Sequence, residues 1–216
     1  MLPVGDLTRS PDMLILRRGL GPTDLEATLV AASTASGERI MKPLQALGID
    51  AVQIFGFGGS YELWQAMGRG ELDIIASSAD AAARYLAHYS GVARPWVIFA
   101  PERDDRFPDT PTILERLEQP PSTRSLLEHQ TGEPRSDHDA LAAEMIRAGT
   151  QTTRLYVAQS SSAATVSCLQ QTIAALTATE GFLQTLARLG ISPARPAPGG
   201  PMGYAAPVAP KVKLLP

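Results

Sequence analysis

Apolar residues along this chain fall into two alternating patterns. Short apolar runs, each bounded by turn residues, read as strands: Met13–Arg17 (MLILR) and Pro95–Ala100 (PWVIFA) as buried ones, and Ala27–Ala32 (ATLVAA), Val52–Phe55 (VQIF), Leu72–Ala76 (LDIIA) and Arg154–Ala158 (RLYVA) as further strands. Between them the spacing turns helical. Ile40, Met41, Leu44 and Leu47 share one stripe, and Leu63, Trp64 and Met67 share another. Asp80–His88 reads as a helix with Tyr85 and Leu86 inward. Further helices are expected over Thr112–Leu117, Ser122–His129, Leu141–Ile146, Val166–Leu176 and Phe182–Leu189. Pro22-Thr23-Asp24-Leu25 reads as a turn opening a brief helical segment. Pro101–Pro111 is charged and proline-punctuated, hence a surface loop, and Gly132–Asp137 is a polar connection. From Pro193 the chain is rich in Pro, Gly and Ala with neither period, which predicts an extended or disordered tail.

Strands alternating with helices predict an α/β fold with a mostly parallel sheet flanked by helices. In such sheets ligands sit beyond the carboxyl ends of the strands. Three polar turns occupy that position: Ser33–Gly37, Gly56–Ser60 and Ser77-Ser78. The first has two readings. Ser33, Thr34 or Ser36 caps the following helix, or the turn offers its N–H groups and helix dipole to an anion. Glu38, in the first turn, opposes the second reading. Pro43 inside the same stripe marks either a kink or the start of the regular helix, which Gly48 closes.

At 216 residues the chain is long enough to bury a core, and 44% hydrophobic with 19% charged residues is ordinary for a globular protein. A net charge of −3, three lysines (Lys42, Lys211, Lys213) and scattered arginines argue against nucleic acid or an anionic membrane as partner. The single cysteine, Cys168, excludes an internal disulfide and a thiolate zinc site. Its apolar helix pattern reads as that of a small, inert hydrophobe. The first residues, MLPVGDLTRSPD, lack the pattern of a secretory signal, and no stretch approaches the roughly 20 apolar residues of a membrane span.

Catalytic constellations are missing from the pattern. His88, His129 and His138 show no metal-ligand spacing, and Asp137-His138-Asp139 reads as surface charge at a helix start. No G-x-S-x-G elbow occurs, and Ser160-Ser161-Ser162 lacks a flanking motif. The chain is therefore not read as an enzyme, and no cofactor is expected. Gly56-Phe57-Gly58 begins like a dinucleotide turn, but Tyr61 stands where the third glycine belongs and no acidic residue closes the next strand. The glycines instead let backbone approach a ligand or a neighbouring helix. Trp64 is expected in the core.

The segment VQIFGFGGSYELWQAMGRGELDI resembles a block of the solute-binding receptors of tripartite tricarboxylate transporters (TctC/Bug-like periplasmic binding proteins). That block runs strand, "GY-G-G/S/T", helix, "A-x-x-x-GE-x-D". The matching positions are Gly56, Phe57, Gly59, Glu62, Ala66, Gly70, Glu71 and Asp73. PERDDRFPDTPTILE is similar to the family's "R-x-x-x-x-PDVPT" loop, through Arg103 or Arg106, Pro108, Asp109, Pro111 and Thr112. LTRSPDMLILRR, IMKPLQALGID and FLQTLARLG resemble further family blocks in the same order.

The resemblance implies a type II periplasmic-binding-protein-like fold with one lobe largely complete and the other partial. It divides the chain into a crossover segment (1–12), a second-lobe α/β domain (13–118), a helical return with part of the first lobe (119–192) and a tail (193–216). It implies a small carboxylate as ligand, held by Ser33, Thr34, Ser36, Gly37, Gly58, Gly59, Ser60 and Ser77. It further implies membrane permease subunits as partners, and a periplasmic location that would become cytoplasmic if the chain were complete as written. The family's signal peptide, its first-lobe "P-x-G-G-x-x-D" turn and its "A-P-x-G-x-P" turn have no counterpart here; Ala158-Gln159-Ser160-Ser161 stands at the last. A second expectation follows from the sheet edge this would open. It is a truncated or degenerate relative without transport function, acting through homo-oligomerisation or protein interaction.

Overall fold

The computed structural model describes residues 1–20, 28–34, 38–118 and 138–194. One strand ties it together. β1 runs from Leu2 to Arg17, and its two halves belong to different sheets' worth of partners. The C-terminal half lies between β4 (Ile74–Ser78) and β5 (Ala93–Ile98), antiparallel to both, with Asp12 opposite Ser78 and Leu16 opposite Ile74. Beyond β4 come β2 (Leu29–Ala32) and the edge strand β3 (Ala51–Ile54), each pairing parallel with its neighbour. The order is β3-β2-β4-β1-β5. All but β1 run the same way, so the sheet is mostly parallel.

The four residues Met13 to Leu16 are wholly buried, because alternate side chains enter two separate cores. Leu14 and Leu16 pack with Ile40 and Leu44 of α1 (Glu38–Ala46), Ile113 and Leu117 of α4 (Ile113–Glu118), and Met145 of α5 (His138–Ala148). Met13 and Ile15 pack with Trp64 and Met67 of α2 (Ser60–Gly68) and with Ala79 and Ala82 of α3 (Ala79–Tyr89). A sheet with helices on both faces is what the continuous apolar runs predict. Trp64 is completely buried and stacks on Tyr85 with ring centres 5.6 Å apart, so it is a core residue as expected. Pro43 lies within α1, and Gly48 ends the turn after it with φ near +73°.

The N-terminal half of β1 pairs antiparallel with β6 (Thr150–Val157), from Leu2 opposite Val157 to Pro11 opposite Thr150. The apolar run at Met13–Arg17 marks only the doubly covered half of this strand. Its first half has one regular strand partner, so polar residues and two prolines fit there without breaking an inner ladder. On this strand pair sit α6 (Ala163–Thr177), where Ile173 rests against Gly5, and then α7 (Glu180–Arg188). Each of these helices buries little: Ile173 on one and Leu186 on the other. Cys168 is exposed, contrary to its reading as a buried hydrophobe, because the α6 stripe on which it lies has no cover among the described residues. The return segment comes back to β1, with Pro193 bridging Thr8 and the Ala194 amide donating to the Leu7 carbonyl at 3.2 Å. The expected helix at Ser122–His129, the segment Pro22–Leu25 and the chain from 195 onward lie outside the described residues.

Candidate functional site

Three parallel strands, β3, β2 and β4, lie side by side and end at one edge of the sheet. Ala32, the last residue of β2, pairs with Ile54 on one side and Ile75 on the other. Ser33 therefore leaves the sheet between the Phe55–Ser60 turn and Ser77, about 5 Å from the strand on either side. Of the residues expected to hold a ligand, Ser33 and Ser77 are buried and Thr34 is exposed. Gly58 is exposed as well, while Gly59 and Ser60 are half-buried. Ser36 and Gly37 lie outside the described residues.

The local chemistry of these turns is partly self-satisfied. The Gly58 amide donates to Glu62 Oε2 at 2.7 Å, so a carboxylate from the first turn of α2 already occupies one N–H group of the glycine turn. A Cβ at Gly58 would come within 3.3 Å of that same carboxylate. Gly59 extends into α2 without a side-chain cap, and a Cβ there would meet nothing within 4 Å. At the end of β4, Ser78 Oγ accepts from the Ala81 amide at 3.2 Å, and Ser10 Oγ accepts from the Asp80 amide at 3.1 Å. The start of α3 is thus capped from within. Ser77 hydroxyl contributes only a long 3.4 Å bond to the Ser78 carbonyl. The Gly58 amide and the Ser78 and Ser10 hydroxyls are thus already engaged within the chain.

Beside the three turns stands a polar cluster that sequence reasoning did not single out. Asp12, opposite Ser78, is 2% exposed, and its carboxylate is held by the Arg39 guanidinium of α1 and by Gln151 Nε2 of β6 at 2.5 Å. Its amide donates to the Gly149 carbonyl at 2.5 Å, and its carbonyl accepts from Phe99 at 2.9 Å. Burial outweighs the Arg39 charge and pushes the Asp12 carboxyl up to about 6. On the other side, Asp80 accepts from Arg106 Nη1 at 2.8 Å and from both the amide and hydroxyl of Ser192. Arg106 also donates to Asp104, whose carboxyl is held below the usual range chiefly by that hydrogen bond. The sequence signal was faint, since Asp12 and Asp80 look like ordinary turn residues and their partners lie far along the chain.

Two cavities are lined by neither the serines nor the glycines of the three turns. One lies between α1 and α5, and the other beside Pro11, Ala100 and Ser192. Among the described residues no group of three or more His, Cys, Asp or Glu side chains is placed to hold a metal, and no helix is long and apolar enough to cross a membrane.

No protein-family model and no curated protein matches the sequence. Solved structures do match. A ligand-free TctC solute-binding protein from Polaromonas superposes with a TM-score of 0.59 at 15% identity, over 89% of this chain and 61% of that one. MatC from Rhodopseudomonas palustris, with bound malate, gives 0.59 at 21% identity, over 91% and 61%. An adipate-bound protein from the same organism gives 0.60 at 15%, over 89% and 59%. The chain thus spans about 60% of the length of the structures it matches. At these identities the likeness is one of fold: a type II periplasmic-binding-protein-like α/β architecture.

Proposed function

We propose that this chain, with the fold of TctC-type solute-binding proteins, binds a small carboxylate at the shared edge of β2, β3 and β4. The observation that carries the reading is the convergence of the Ser33, Gly58–Ser60 and Ser77 turns on one end of three adjacent strands. Such an edge presents amide and hydroxyl donors without a catalytic base or nucleophile, which suits binding and not turnover. Ser33, Thr34, Ser36, Gly37, Gly58, Gly59, Ser60 and Ser77 are the proposed ligand-holding residues. The malate and adipate carried by two of the similar structures point to a dicarboxylate.

In the same reading residues 13–118 form one lobe. The β1–β6 strand pair with α6 and α7 belongs to the other, and β1 and Gly149–Thr150 are the crossovers between them. Delivery of the ligand to a membrane permease, in a periplasmic setting, completes the proposal. A thermal-shift screen against malate, citrate, tricarballylate, adipate and benzoate tests it. A saturable rise in melting temperature with one class of acid supports the receptor, and none with any acid removes it.

One observation favours a second reading. Leu155 and Tyr156 on β6, Leu176 on α6, and Leu183 and Leu189 by α7 are all exposed. With Val52, Ile54, Phe55 and Tyr61 exposed on the larger unit as well, this apolar surface suits a relative that works through self-association or protein contact. Light scattering that finds dimers, together with silence in the acid screen, would select it.

A further inference from the structure

Taking the two-lobed division proposed above, we infer that Asp12 and Asp80 are a pair of latches, one on each face of β1, that hold the smaller unit at a fixed angle to the larger. Among the described residues the chain passes between the units at two adjoining places. These are β1 at Pro11-Asp12 and the Gly149-Thr150 step, with Pro11 opposite Thr150. The Asp12 amide donates to the Gly149 carbonyl, but Pro11 has no N–H to add to that ladder. A ribbon of two strands is marginal on its own, and a few residues at such a crossing are enough to make a hinge.

Side chains close what the backbone leaves open. On the α1 face, Asp12 lies in the larger sheet opposite Ser78, and its Oδ1 accepts from Gln151 Nε2 of β6 at 2.5 Å while Arg39 of α1 holds Oδ2. On the α3 face, the Asp80 carboxylate accepts from the amide and the hydroxyl of Ser192, and the Asp80 amide donates to Ser10 Oγ. Ser10, Gln151 and Ser192 move with the smaller unit, and Asp12, Arg39 and Asp80 with the larger. Tilting the smaller unit toward either face therefore stretches the hydrogen bonds on the other. Asp12 and Asp80 are 2% and 6% exposed, so a bond broken there is not replaced by water, and losing a partner of a buried charge is costly. Both latches stand beside Ser77 at the carboxyl end of β4. The edge proposed to hold the carboxylate is thus preformed and not assembled by closure.

Spin labels on Cys168 of α6 and on an Ala87→Cys substitution in α3, both exposed, measure the angle in the ligand-free protein. Double electron–electron resonance is expected to give one narrow distance in the labelled parent. The distribution should broaden in Gln151→Ala and in Ser192→Ala, and most when the two are combined. Ser192→Thr keeps the hydroxyl and should stay narrow. Gln151 is exposed and Ser192 half-buried, so neither change opens a core, and thermal melts by circular dichroism verify the fold. A broad distribution in the parent overturns the proposal, as does a folded combined variant as narrow as the parent. Where the combined variant does not fold, the single variants decide on the same terms. No ligand enters the measurement, so the acid screen stands or falls separately.

Discussion

Ser192 and Asp80 are joined twice across 112 residues of sequence: the Ser192 amide donates to Asp80 Oδ2 at 2.9 Å and its hydroxyl to Oδ1 at 2.8 Å. Arg106 shares Oδ1 from the loop beyond β5. One buried carboxylate thereby pins the start of α3, a surface loop and the return segment. Asp80→Ala leaves those donors without an acceptor and is expected to cost about 2–3 kcal/mol, discounted because Arg106 is partly solvated. Asp80→Asn should cost less. Urea unfolding measures the difference, and equal midpoints for wild type and Asp80→Ala would show that the clasp contributes nothing.

Asp12 gives stability an unusual slope with pH. Its carboxyl lies near 3.8 in the unfolded chain and about 6 in the folded one, so the folded state holds the proton more tightly. This contribution is full below about pH 4, declines as pH rises towards 6, and is gone above it, amounting to about 3 kcal/mol. Asp104 runs the other way, since its lowered pKa adds stability above the unfolded value that is lost as acid protonates it. The wild type should therefore gain on Asp12→Asn between pH 7 and pH 4 in urea midpoint. A constant difference across that range contradicts the assignment.

A methyl group at Gly5 would overlap Ile173 Cγ2 and lie 3.1 Å from Ile173 Cβ, lifting α6 off β1. Gly5→Ala should destabilise by about 1–3 kcal/mol. In Gly5→Ala/Ile173→Ala the space vacated by Ile173 takes up the new methyl, so the double loss should fall short of the sum of the single ones. Additive losses would mean that the helix does not rest on Gly5.

Cys168 is the only thiol in the chain and is exposed on α6. It should react fully with an aromatic disulfide reagent in native buffer, at a rate close to that in denaturant. Protection until unfolding would show that this helix face is covered in solution, and would favour self-association.

Ser60→Arg places a long cation in the turn at the start of α2 without disturbing a buried side chain. It should abolish dicarboxylate binding while leaving the melting temperature of the free protein within a few degrees. Unchanged affinity in the acid screen would remove that turn from the site.

The strands and helices of the larger unit were legible because its inner strands are covered on both faces, as Met13 to Leu16 are, while the edge strand β3 leaves Val52 and Ile54 exposed. The first half of β1 was not, since Leu2–Ser10 has a cover only on one side and its polar, proline-bearing sequence carries no apolar run. Cys168 was misread for a related reason: periodicity says which residues share a face, not whether anything packs on it. The strand-end turns follow from fold logic alone. Asp12 with Gln151 and Asp80 with Ser192 pair residues more than a hundred apart, and no local pattern marks such partners.

β1 precedes in sequence every strand it pairs with. Its partners arrive at residues 74–78, 93–98 and 150–157, so during synthesis each half waits unpaired until its partner is made, the N-terminal half longest. Closing contacts of that separation is slow, and an apolar strand left open is a site for wrong pairing. Assembly of the larger sheet thus awaits β5, and completion of the outer strand pair awaits β6. Refolding is expected in two phases, the second set by capture of the N-terminal half of β1, and an early ribosome-bound chain ending before residue 93 should remain protease-sensitive throughout.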